Sequence, residues 1–175
     1  MKRLIASITV LLVLSCYLLS CEKDDLCAEG SPVTPRLVVE FYEKDNPTQL
    51  KTVTEIRCFF PGYDEVVPFT AGSKILIPLK NDADVVKLAL QYKYTAGGTT
   101  ISNTDFIEIH YTRTQTYVSR ACGYRNTFVL ATETNDAPNP VITDFITNDG
   151  LFIQDCVPVN PIIENENEAH VKIYF

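Results

Sequence analysis

Six cysteines and two histidines carry most of the reactive chemistry in this 175-residue sequence. The thiols are Cys16, Cys21, Cys27, Cys58, Cys122 and Cys156, and the imidazoles are His110 and His170. A nucleophilic thiol needs a base within hydrogen-bond reach, and neither histidine lies in a motif that supplies one. Zinc would call for ligands paired a few residues apart, yet the chain has no C-x-x-C pair. It also lacks G-x-S-x-G, H-E-x-x-H and a glycine-rich phosphate loop. A triad or a carboxylate pair assembled by the fold stays open, because spacing along the chain does not test it. The run Glu164-Asn165-Glu166-Asn167-Glu168 and the turn Asn148-Asp149-Gly150 offer oxygen ligands. Neither has the spacing of a calcium loop, so both read as solvated segments. No metal and no cofactor is expected.

Arg113, Arg120 and Arg125 gather three cations into one short stretch of an acidic chain. They can be a patch for an anion or a partner. The plainer reading is a hairpin whose arginines pair with carboxylates across the sheet, and it carries more weight.

Composition narrows the classes. Lys+Arg number 15 against 22 Asp+Glu, for a net charge of −7, so no nucleic-acid partner is expected, since phosphate binding needs a concentrated basic surface. Hydrophobic residues at 46% and charged residues at 21% describe a globular chain. The absence of tryptophan among nine tyrosines and nine phenylalanines lends little support to a sugar-stacking surface.

The N-terminus supplies an address. Lys2 and Arg3 precede the apolar run of residues 4–14, LIASITVLLVL, which is too short to span a bilayer. Leu18-Leu19-Ser20-Cys21 then gives way abruptly to Glu22-Lys23-Asp24-Asp25. A small residue before a cysteine at the end of an apolar core resembles the lipobox of bacterial lipoproteins. That resemblance implies cleavage before Cys21 and a diacylglycerol on its thiol, and multiple acyl chains anchor a protein stably. Ser15-Cys16 is a rival site that would leave Tyr17-Leu18-Leu19 at the membrane face. Glu22, Lys23, Asp24 and Asp25 resemble the export signal of Bacteroidota surface lipoproteins. This second resemblance implies an outer-membrane location, facing outward.

Processing leaves Cys27, Cys58, Cys122 and Cys156. An even number in an oxidising compartment suggests two disulfides, with three possible connectivities. Cys27–Cys122 with Cys58–Cys156 is the working pairing. If Cys27 is fixed to the domain, residues 22–26 form a tether of at most about 18 Å.

Beyond Pro32 and Pro35, short runs alternate with period two. Leu37, Val39 and Phe41 share a face, as do Ile75, Ile77 and Leu79; Val86, Leu88, Leu90, Tyr92 and Tyr94; and Ile107, Ile109 and Tyr111. Asn126, Phe128 and Leu130 continue the pattern after Tyr124, and Val171, Ile173 and Phe175 end it on a strand expected to pair inside a sheet. Turn signals such as Pro61-Gly62, Asn81-Asp82 and Gly97-Gly98 fall between the runs. About eight strands so spaced read as an all-β, antiparallel β-sandwich, of which the immunoglobulin-like form is one version. A closed barrel is the alternative. Residues 132–147 read as a long loop or crossover, and residues 157–168 also depart from the pattern. The organisation is a signal peptide at 1–20, a lipidated tether at 21–35 and a β-sandwich domain at 36–175.

Several segments carry a wider resemblance: Cys21 to Glu29, Pro35 to Tyr42, Tyr111-Thr112-Arg113, Ser119-Arg120-Ala121-Cys122-Gly123, and Glu164 to Phe175. Together they resemble an uncharacterised lipoprotein family of Bacteroidota, domain of unknown function 6452. It implies a location and a shared fold and supplies no activity. Cys27 and Cys122 lie in resembling segments while Cys58 and Cys156 do not, which favours the working pairing. The expected role is a non-enzymatic, surface-anchored module that contacts an envelope protein or an extracellular ligand, with the membrane reached through lipid. A surface hydrolase acting on glycans or peptides and a structural envelope component are the alternatives.

Overall fold

A computed structural model describes residues 26–63, 66–134, 137–145 and 150–175. The signal segment, the lipidation site Cys21 and the export residues Glu22, Lys23, Asp24 and Asp25 lie outside the described residues, as do Asn148 and Asp149. Among the described residues there are thirteen strands and no helix. The first seven are β1 (Leu37–Tyr42), β2 (Ile56–Phe59), β3 (Val66–Val67), β4 (Lys74–Ile77), β5 (Val85–Ala96), β6 (Thr99–Ser119) and β7 (Gly123–Leu130). The rest are β8 (Glu133–Thr134), β9 (Ala137–Pro138), β10 (Val141–Asp144), β11 (Asp155–Pro158), β12 (Ile162–Ile163) and β13 (Val171–Tyr174).

Alternation explains the two main sheets. On β1, Leu37, Val39 and Phe41 point into the core, and on β4 Ile75 and Ile77 do the same. The order of this sheet is β11-β13-β1-β4. The second sheet runs β12-β7-β6-β5-β2-β3, with β10 also paired to β6. Its long hairpin, β5–β6, turns at Gly97 and Gly98, both at positive φ (57° and 80°). Two left-handed residues let the turn follow the right-handed twist of the strands. Leu88, Leu90, Ile107, Ile109, Tyr111 and Phe128 from this sheet join the β1, β4 and β13 side chains in one buried cluster. A single core shared by two sheets is the signature of a sandwich. The fold is all-β, as expected.

Three details differ from the sequence reading. β1 and β13 pair in parallel, Val39 opposite Val171 and Tyr42 opposite Tyr174. Parallel partners need a long crossover, and most of the chain lies between these two. The segment expected to be a loop, 132–147, holds β8, β9 and β10; β10 lies antiparallel on β6 with Ile142 opposite Ile107. Tyr94, expected on the core face, is exposed because β5 outruns the core, and its ring instead stacks on Tyr92 at 5.4 Å.

Two compact units are present. One holds Val33–Thr116 and Arg125–Phe175, which is the sandwich; the other holds Tyr117–Tyr124 and the described residues up to Pro32.

Candidate functional site

Cys27 and Cys122 form the expected disulfide, with Cα atoms 4.7 Å apart. The expected Cys58–Cys156 bridge is not formed: both are free, buried thiols. Cys58 belongs to β2 in one sheet and Cys156 to β11 in the other. An even cysteine count makes a bridge possible, but forming one needs Cα atoms about 4.4–6.8 Å apart with their Cβ vectors facing. Burial pushes each thiol up to about 12, so both act as small apolar core groups.

The histidines are likewise engaged. His170 is buried, and its Nδ1 accepts the Val38 N–H at 2.9 Å while its own N–H donates to the Val38 carbonyl at 2.9 Å. His110 Nε2 lies 2.9 Å from Glu108 Oε1. Asn139 clamps the His110 backbone on both sides, accepting its N–H and donating to its carbonyl, each at 2.9 Å. Asp105, fully buried on β6, accepts the Ile153 N–H at 2.8 Å and ties that segment to the sheet. The acidic run is not wholly solvated. Glu166 takes a bidentate grip from Arg36, Nε to Oε1 at 2.8 Å and Nη2 to Oε2 at 2.7 Å, and also accepts the Arg36 backbone N–H at 2.9 Å. That contact holds the Glu166 carboxyl below its ordinary range.

The arginine patch divides. Arg113 donates through Nε to Asp84 Oδ1 at 2.6 Å and through Nη1 to the Asn81 carbonyl, which is the cross-sheet pairing the sequence favoured. Arg125 lies half-buried on β7, and Arg120 is exposed on the turn of the small unit. Around Arg113 an open hollow of about 370 Å³ is lined by Asn81, Asp84, Thr112, Gln115 and Asn126. Asn126 Nδ2 donates to Asn81 Oδ1 at 2.7 Å, so one connection, from β4 to β5, is pinned to β7. The same connection is pinned a second time by Tyr111, whose hydroxyl accepts the Lys80 N–H at 2.9 Å and donates to the Lys80 carbonyl at 3.2 Å. Burial raises that phenol.

Lys80 also lines a second, apolar hollow of about 220 Å³ with Phe60, Tyr63, Pro78 and Leu79. Consecutive residues of one rigid connection therefore present an apolar recess and a polar one. Apolar area beside mixed donors and acceptors is the anatomy of a recognition surface. Asn81, Asp84 and Asn126 were not singled out from sequence as site residues. Only the polar run Lys80-Asn81-Asp82-Ala83-Asp84 hinted at them.

Fold and hollows define an all-β sandwich module with a recessed surface on one inter-strand connection. The model of the family of unknown function DUF6452 matches residues 52–175, and the chain belongs to that family. No curated protein and no solved structure matches it.

Proposed function

We propose that this protein is a lipid-anchored, outer-membrane lipoprotein that faces outward and acts as a non-enzymatic binding module. The lipobox-like Leu18-Leu19-Ser20-Cys21 and the acidic export-like residues after it support the address. The observation that carries the binding role is the pair of hollows on the β4–β5 connection. Tyr63, 65% exposed, and Leu79 give apolar contact, while Arg113, Asp84 and the amides give directed hydrogen bonds. An envelope protein or an extracellular ligand with a polar edge and an apolar anchor fits both. Among the described residues, Cys58 and Cys156 are buried in the core, Cys27 and Cys122 form a disulfide, His170 Nδ1 holds a backbone N–H and His110 Nε2 lies against Glu108.

A photo-cross-linking residue in place of Gln115, used on intact cells, tests this. A discrete adduct that Arg113→Glu abolishes is expected, because the new carboxylate would repel Asp84 and remove the guanidinium donors. Absence of any adduct, or one indifferent to Arg113→Glu, would contradict the proposal.

A further inference from the structure

The disulfide joins the tether to the turn between β6 and β7. Cys122 closes that turn, its N–H donating to Ser119 Oγ at 3.0 Å. Tyr117 and Tyr124 flank the turn with rings 5.3 Å apart, edge to face at 67°. They touch each other yet remain 57% and 63% exposed, and Leu26, next to Cys27, is 84% exposed. Arg120 stands exposed on the turn itself. All four belong to the small unit.

Scattered apolar side chains on a surface need no explanation, but these are covalently tied together at one point, six residues from the proposed lipid site at Cys21. The chain from Cys21 to Cys27 extends at most about 21 Å. Tyrosine rings settle at the level of lipid headgroups, with the ring toward hydrocarbon and the hydroxyl toward water. A leucine beside them adds apolar area to the same boundary, and a guanidinium matches a lipid phosphate in a bidentate fashion. Glu22, Asp24, Asp25 and Glu29 lie close to Cys27 in the sequence, so net attraction to a strongly anionic surface is weak.

We propose that the tip formed by Leu26, Tyr117, Arg120 and Tyr124 docks on the lipid headgroup layer of the membrane that holds the chain. This docking rests on acylation of Cys21 and adds a second, non-covalent contact to it. The tip becomes a foot on the bilayer.

The chain has no tryptophan, so Tyr124→Trp or Tyr117→Trp introduces a single reporter at an exposed position. The full chain, produced with its lipid, is placed in phosphatidylcholine vesicles whose acyl chains are brominated. Emission from each variant should fall about twofold relative to unbrominated vesicles, as for a ring at the interface, and Arg120→Glu should reduce that quenching. Intact mass of the same sample reports the acyl groups. Acylated protein with emission untouched by bromine overturns the docking and leaves the anchor standing; protein without acyl mass overturns the anchor.

Discussion

His170 joins β13 to β1 through its ring: Nδ1 accepts the Val38 N–H, which only neutral imidazole in the tautomer with its proton on Nε2 can do. Burial lowers its pKa from 6.5, while Glu168 and Glu166 pull the other way. The unfolded chain therefore binds this proton more readily than the folded one. Its contribution to stability is complete above about pH 6.5 and is lost as pH falls through the depressed native value. Thermal melts should show stability dropping from pH 7 to pH 5. His170→Asn, with an amide oxygen near the Nδ1 position, should cost about 1–3 kcal/mol at pH 7 through lost packing but flatten that dependence. An unchanged slope would contradict the assignment. The window is clear of Glu166, whose lowered pKa places its own loss below 4.5. Sequence could place His170 beside a strand but could not reveal this bond, since its partner Val38 lies at the far end of the chain. The same blindness applied to Cys58 and Cys156: parity of the count suggested a bridge, whereas the fold buries both as free thiols, because pairing depends on Cα distance and Cβ direction that a count does not carry.

Elements were legible where alternation is long. The inward series on β1, β4 and β6, and Val86, Leu88 and Leu90 on β5, all come out buried. β2 was not read because Phe59-Phe60 breaks the alternation of Ile56-Arg57-Cys58, and β10 was masked by the prolines and asparagines before it. Strand order is a different kind of information. Local pattern says which face a residue takes, not which neighbour its strand finds, so the parallel β1–β13 pair was beyond it. The Arg36–Glu166 pair pins the connection before β13 to the start of β1. Its side chains are 49% and 28% exposed, so solvent screens most of the Coulomb gain. Glu166→Ala should lower stability by about 1 kcal/mol in urea titrations, with less loss at high salt. A loss several times larger, or none at any ionic strength, would show that the pair does not hold the two segments as described.

At the scale of the whole molecule, the acidic balance of −7 and the globular composition described a domain, and the first twenty-odd residues carry the lipobox resemblance on which the proposed location rests. The candidate site was the least legible part. Arg113 was visible as a cation, but the hollow around it is assembled from the β4–β5 connection, β6 and β7, and only folding brings them together. The proposed location and the proposed docking tip both depend on lipid at Cys21. Metabolic labelling with a radioactive or clickable fatty acid tests this directly. Label should appear on the wild-type protein and on Cys16→Ala, and Cys21→Ala should abolish it; label persisting on Cys21→Ala would contradict the account and move the anchor elsewhere.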